Sequence, residues 1–173
     1  AGGEGVGGML AAGAVIRNRA ETGKYGGNSI SGVIMQPGQF SAWNGVTGYA
    51  GGEGAIDMNS LRVSEDAYAA ADAILSGNYQ DPTGGATHYY NPDVATPAWG
   101  AGANPGGGQW TTIGNHIFGS PDGVRSSASG PVEGYVPGAI TTNPMGGQAA
   151  ADFTAALQAG TRMTPDQAAA LFN

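Results

Sequence analysis

The chain contains no cysteine. That excludes disulfides, thiolate nucleophiles and cysteine-ligated zinc, and leaves the redox compartment unconstrained. Histidine is almost as scarce: His88 and His116 are the only two, too few for a multi-histidine metal cage. Basic charge is also short, with 6 Lys+Arg against 13 Asp+Glu and a formal net charge of −7. A nucleic-acid binder needs a basic footprint to replace phosphate counterions, so no nucleic-acid partner is expected. The same deficit disfavours docking on an anionic membrane surface. No apolar run reaches the about 20 residues that a spanning helix needs, so no membrane span is expected. The basic and apolar regions of a signal peptide are missing too. There is no initiator methionine, which implies an upstream piece that was removed or is not part of this sequence. No phosphate-binding glycine motif leads into Lys-Ser/Thr, and "GGEGVGG" has no strand before it, so it is not a dinucleotide loop. EF-hand spacing is absent, which leaves only an Asp/Asn-rich loop near 53–59 for calcium. No cofactor is expected.

Glycine is what the chain has in excess, 33 of 173 residues. The usual share is about 7%. Each glycine raises the entropy lost on folding, so long loops are expected. A hydrophobic fraction of 40% still permits a modest core.

Residues 9–20 read as a helix, apolar nearly all round and so buried at the domain centre. Gly13 inside it is expected where another helix packs closely. Residues 60–78 read as a second helix, with Ser64 as N-cap, Glu65 and Asp66 in the first turn and Gly77 closing the end. Its expected buried stripe is Tyr68, Ala71, Ile74 and Leu75. The short apolar run in 31–43 fits a helical turn or a strand, and Pro37 ends it. "ATHYYN" and "WTTIGNHIF" are β-like. Residues 119–147 are dominated by Gly, Pro, Ser and Thr and read as a linker or arm. Residues 148–173 are Ala-rich, and Thr164, Pro165 and Gln167 form a capping-box arrangement. These short tail helices suit docking on the domain or on a partner.

A carboxyl group acts as general acid only if its pKa is raised toward the working pH. Glu4 lies just ahead of the first helix in a glycine run, where a buried wall supplies desolvation. Its competing role is a solvated first-turn residue complementing the helix dipole.

The segments "GMLAAGAVIRNR", "SGVIMQPGQFS", "DPTGGATHYYNP", then a Trp and "IGNHIF" follow in that order at ordinary domain spacing. The series resembles the cell-wall hydrolase family of SleB/CwlJ type, the spore cortex-lytic enzymes, over residues 1–118. The resemblance implies an α+β, mainly helical, compact lysozyme-like or lytic-transglycosylase-like domain with a small β element, here followed by an extended C-terminal arm. It implies the glycan strand of peptidoglycan as substrate. The bond cut joins N-acetylmuramic acid to N-acetylglucosamine, by a lytic transglycosylase leaving a 1,6-anhydro end or by a muramidase. A single glutamate suffices for the first route, whereas the usual hydrolase needs two carboxylates.

The family's opening resembles Gly-Glu-Ala-x-Gly-Glu. Ala1-Gly2-Gly3-Glu4 aligns with its second half, so Glu4 matches the second glutamate and the first would stand just before Ala1. Within this sequence Glu4 is the catalytic candidate. Gln39 and Ser41 are candidates for sugar hydroxyl or acetamido groups, with loop support as the other role for Gln39. Thr83, His88, Tyr89, Tyr90 and Asn91 are substrate-binding candidates. Strand alternation puts one of Tyr89 and Tyr90 toward the cleft and the other toward the core. His116 is a binding candidate whose commoner role is a hydrogen-bonded structural histidine. Phe40 is expected in the core. Trp43, Trp99 and Trp110 suit sugar stacking or a protein interface. Arg17 and Arg19 are expected to meet acidic neighbours or substrate carboxylates. The resemblance places the protein at the cell wall outside the cytoplasm, and the Gly/Pro/Ala-rich tail, the missing N-terminus and the glycine excess suggest a phage virion as the other setting. Residues 119–173 would then contact other virion or envelope proteins. A structural virion or wall protein with a degenerate hydrolase domain is the alternative.

Overall fold

The computed structural model describes residues 4–40, 43–49, 63–102 and 109–136. Ser41, the 53–59 loop and the Thr164-capped helix lie outside them. The described residues form a mixed α+β domain, mainly helical, with a small sheet. Helix α1 is Gly5–Thr22, α2 Ile30–Met35, α3 Asn44–Thr47 and α4 Glu65–Ser76. Strands β1 (His88–Tyr90), β2 (Trp110–Ile113) and β3 (His116–Gly119) make an antiparallel sheet in the order β1-β3-β2. The short run at 31–43 is thus helical, and Pro37 follows its end.

The α4 signals operate as read. Ser64 Oγ accepts from the Ala67 N–H at 3.2 Å, and Gly77 closes the helix in the left-handed region. Its buried residues are Tyr68, Ala70, Ile74 and Ser76, while Ala71 and Leu75 are half-buried. Ser76 tolerates burial because its hydroxyl donates to the Ala73 carbonyl. Against this helix lies α1, and a Cβ on Gly13 would overlap Ile74 Cδ1. Close packing is therefore the reason for that glycine.

Helix α1 is longer than the 9–20 expectation and less uniformly apolar inside. Its buried residues include Arg17, Asn18 and Arg19 beside Ala11, Ala14 and Val15, and Val6 is exposed. Among the described residues, the buried cations do not meet carboxylates. Arg17 donates to the carbonyls of Ile74, at 2.5 Å, and Gly130. Arg19 donates to the Thr87 carbonyl at 2.5 Å and to Gln39 Oε1 at 2.6 Å. Carbonyls replace acids here: Arg17 reaches the last-turn Ile74 carbonyl of α4 and the Gly130 carbonyl, and Arg19 reaches the Thr87 carbonyl ahead of β1. Phe40 is half-buried rather than core, and the Arg19 guanidinium sits 5.4 Å from its ring centre.

The core between α1 and the sheet is Ala11, Val15, Ala86 and Phe118, with Tyr89 and Ile113 packed on it. Burying Phe118 contributes about 1.5–3 kcal/mol. Asp81 binds the turn before β1: it accepts from the backbone of Thr83 and Gly85 and from Asn18 Nδ2. Residues 120–136 lie along the domain, where the Ser126 N–H donates to the Gly85 carbonyl and the Val132 N–H to the Leu75 carbonyl.

Candidate active site

Glu4 occupies the N-cap position of α1, yet its side chain makes no cap bond. It reaches instead to the β2–β3 turn. The Asn115 N–H donates to Oε1 at 2.6 Å, and His116 Nδ1 lies 2.9 Å from both carboxylate oxygens. The turn has Gly114 as its first central residue, with φ of +57°, as a primed two-residue hairpin turn requires. A Cβ there would come within 2.8 Å of the Glu4 carboxylate. One glycine therefore serves both the turn and the approach of the acid.

The two side chains are 12% and 15% exposed. Partial burial pushes the Glu4 carboxyl up. The Asn115 N–H, the His116 hydrogen bond and the His116 charge outweigh it, so the group lies below the usual carboxylate value. The desolvation expected from sequence is the largest single effect, but the lowering contacts together exceed it. Glu4 is ionised at neutral pH, the opposite of a resting proton donor. His116 is hydrogen-bonded, and its partner is Glu4 itself. Tyr89 completes this corner: its ring lies 5.5 Å from His116 and stacks on Phe118 at 5.3 Å. Burial raises its phenol pKa against the pull of Arg19, and the Glu4 charge adds to the rise.

The other expected residues lie elsewhere. Gln39 is held by Arg19, whose guanidinium also covers Tyr25 at 5.0 Å. Thr83 is buried, and its hydroxyl donates to Asp81 and accepts from the Ala86 N–H, both inside one turn. Asn91 Oδ1 accepts from the Asp93 N–H, again locally. His88 and Tyr90 lie on the sheet face opposite Tyr89, as strand alternation requires. His88 Nδ1 is 2.9 Å from Thr87 Oγ1. Burial, then the Arg19 charge, lower His88 to about 4 despite Asp122, so it is neutral at pH 7. Sequence reading missed the Asn115 N–H, Tyr25 and the buried Asn18, which donates to Asp81 and to the Ala86 carbonyl. The β-turn pair Gly114-Asn115 was the available signal for the first.

A polar groove of about 430 Å³ lies at the other end of α1, lined by Glu21, Lys24, Arg125 and the serines of 126–129. Among the described residues, no group of three or more His, Asp or Glu is placed to hold a metal ion. No helix among them is long and apolar enough to cross a membrane.

Comparison with known proteins adds an independent finding. The Cell Wall Hydrolase family matches residues 3–119. The spore cortex-lytic enzyme of Halalkalibacterium halodurans is 37% identical over 111 residues, covering 64% of this chain and 28% of that protein. That of Bacillus cereus is 38% identical over 111 residues, 64% of this chain and 36% of that protein. That of Bacillus subtilis is 36% identical over 111 residues, 64% of this chain and 30% of that protein. The match thus spans about a third of these relatives. No solved structure matches significantly.

Proposed function

Because the chain belongs to the cell wall hydrolase family, we propose that it acts on peptidoglycan, cutting the glycan strand between N-acetylmuramic acid and N-acetylglucosamine. The observation that carries this reading is the Glu4 corner, a fixed carboxylate at the head of a buried helix. Glycoside cleavage passes through an oxocarbenium-like transition state, which a nearby negative charge stabilises. An ionised Glu4 supplies that charge. In the transglycosylase route it also takes the proton from the muramic acid C6 hydroxyl as that oxygen closes on C1. In the muramidase route it takes the proton from water. Breaking the bond requires a proton on the departing oxygen. Glu4 delivers it after taking one up, or the first glutamate of the Gly-Glu-Ala-x-Gly-Glu pattern delivers it. Gln39, Ser41, His88 and Tyr90 are the substrate contacts in this reading, and the site of action is the wall outside the cytoplasm.

Incubation with purified sacculi, followed by mass analysis of released muropeptides, tests the reading. Anhydro ends select the transglycosylase route and hydrated reducing ends the muramidase route. Unchanged sacculi sink both.

A second reading has one observation in its favour: the resting Glu4 is ionised and hydrogen-bonded rather than ready to donate. On this reading a wall- or virion-associated protein binds glycan without cutting it and assembles through 119–173. Sedimentation with sacculi, without product release, selects it. Loss of assembly on deleting 137–173, with glycan binding retained, would support the arm.

A further inference from the structure

The outer face of the sheet carries rings that the Glu4 corner does not use. His88, Gly119 and Trp110 stand opposite one another across the three strands. Their neighbours Tyr89 and Phe118 point into the core, so His88, Tyr90 and Trp110 project from the other face. Trp99, on the short 3₁₀ turn Ala98–Gly100, joins them there. Its ring is nearly parallel to Trp110, at 9° and 6.4 Å. Tyr90 meets it edge-on at 5.4 Å, and His88 lies 4.9 Å away.

Two glycines seat these rings. A Cβ on Gly119 would overlap the Trp110 indole, and one on Gly100 would come within 3.0 Å of the Tyr90 ring. The rings are therefore held by backbone. Even so, Trp99 remains 39% exposed, and Val94 in the preceding loop is 69% exposed. A core-filling tryptophan would be covered. A ring clamped on its sides and open to solvent is preorganised for a flat apolar ligand.

We propose that Trp99, backed by Trp110, Tyr90 and His88, is a binding subsite for one N-acetylhexosamine ring of a glycan strand, separate from the Glu4 corner. The face of a pyranose presents C–H groups with partial positive charge, which complement the negative face of an indole. The corner and the platform stand on opposite faces of the sheet, so the platform holds a sugar ring of the polymer away from the one at the corner. The proposal rests on the glycan reading above, and it assigns Trp99 to affinity rather than to bond breaking.

The test uses the full chain with Trp99→Ala and Trp99→Phe, a soluble N-acetylglucosamine oligomer, and sacculi. Binding of the oligomer should weaken about tenfold in Trp99→Ala and recover largely in Trp99→Phe. With sacculi, the apparent KM should rise while kcat is unchanged. In the unsubstituted protein, the Trp99 indole N–H signal should shift on titration with the oligomer, a readout that needs no variant to fold. Unchanged binding in Trp99→Ala, or an indole signal that stays put while sacculi are bound, overturns the platform and leaves the glycan reading standing. A protein that binds neither oligomer nor sacculi overturns both. A change in oligomeric state on Trp99→Ala without a change in glycan binding makes the face a protein contact and overturns the subsite.

Discussion

His116 Nδ1 lies 2.9 Å from each carboxylate oxygen of Glu4, although the two residues stand at opposite ends of the folded domain's sequence. The pair ties the head of α1 to the β2–β3 turn. It leaves the carboxylate charged, oriented and only slightly exposed. That state suits a base or a charge stabiliser for a developing oxocarbenium ion, and it sets what substitutions should do.

Glu4→Gln keeps an acceptor for the Asn115 N–H but removes the charge. Muropeptide release should fall by about 10²-fold or more, the range for a positioned proton-transfer group. Gly114→Ala should reproduce much of that loss, because its Cβ would stand within 2.8 Å of the carboxylate. If Gly114→Ala retained the full rate, the geometry of this corner would not matter to the reaction. In a chain carrying a glutamate placed immediately before Ala1, a higher rate that survives Glu4→Gln would assign proton donation to that first position.

Three groups make stability depend on acid pH: His88 in an upper window, and Glu4 with Asp122, which the Val124 N–H and Lys24 hold below its ordinary value, in a lower one. His88 is lowered to about 4 from 6.5 in the fold, so between those values the unfolded chain binds more protons. Stability therefore falls as pH drops from 6.5 toward 4. Glu4 lies below its ordinary 4.5, so its contribution is complete above that value and disappears as pH falls through the lower, folded value. Thermal melts from pH 7 to 3 should show Tm declining through both windows. His88→Gln should flatten the upper one, and Glu4→Gln should shrink the lower one to the share of Asp122. A His88 ring signal titrating near 6.5 in the folded protein would contradict the first part.

Local signals were legible in the sequence and distant partnerships were not. The caps of α4 involve side chains three residues apart, and strand alternation separates Tyr89 from Tyr90 over one residue, so both could be read directly. Gly13 announced a close contact, though not that Ile74 makes it. Motif order named the family before any geometry was known. What escaped were residues satisfied by remote backbone. Arg17 and Arg19 were expected to meet acidic neighbours or substrate carboxylates, because their carbonyl partners leave no mark in a sequence. Thr83 and Asn91 shared a motif with His88 yet turn inward to their own loops. For Glu4 a desolvated acid and a solvated first-turn residue both stood open, and what no local signal gave is that donors from residues 115 and 116 hold its carboxyl low.

Two glycines with similar backbones should respond differently to alanine. Gly77 and Gly123 both sit at positive φ, +77° and +72°. A side chain in that region costs about 1–2 kcal/mol. Around Gly123 nothing stands within 4 Å of the added carbon, so Gly123→Ala should cost only that strain. At Gly77 the Cβ would overlap the Gly130 backbone, so 120–136 must shift from α4. Gly77→Ala should therefore lose clearly more stability in urea unfolding, by at least another about 1 kcal/mol, the low end for overpacking. Equal losses would mean that Gly130 moves aside freely.

Arg17 is the residue that fastens this segment from within. It is 1% exposed, and its two terminal nitrogens donate to the carbonyls of Ile74 on α4 and Gly130 on the segment. Its ring contact is Tyr79, 5.8 Å from the guanidinium carbon. Arg17→Met fills similar volume with no donors. The part-exposed Gly130 carbonyl then loses this donor, and the Ile74 carbonyl keeps only the Gly77 N–H at 3.3 Å, so the cost stays near the low end of about 1–3 kcal/mol. The apolar side chain avoids the desolvation of a buried cation, which offsets part of that loss. A net destabilisation of about 1 kcal/mol is expected from these opposing effects. Limited proteolysis distinguishes the mechanism from general loosening. Cleavage within 126–136 should appear early in Arg17→Met while α1 and the sheet stay resistant. Arg17→Lys, which reaches one carbonyl but not both, should fall between. If all three proteins were cut at the same rate and place, the segment would be held by its own backbone bonds to Gly85 and Leu75, and Arg17 would serve α1 and α4 alone.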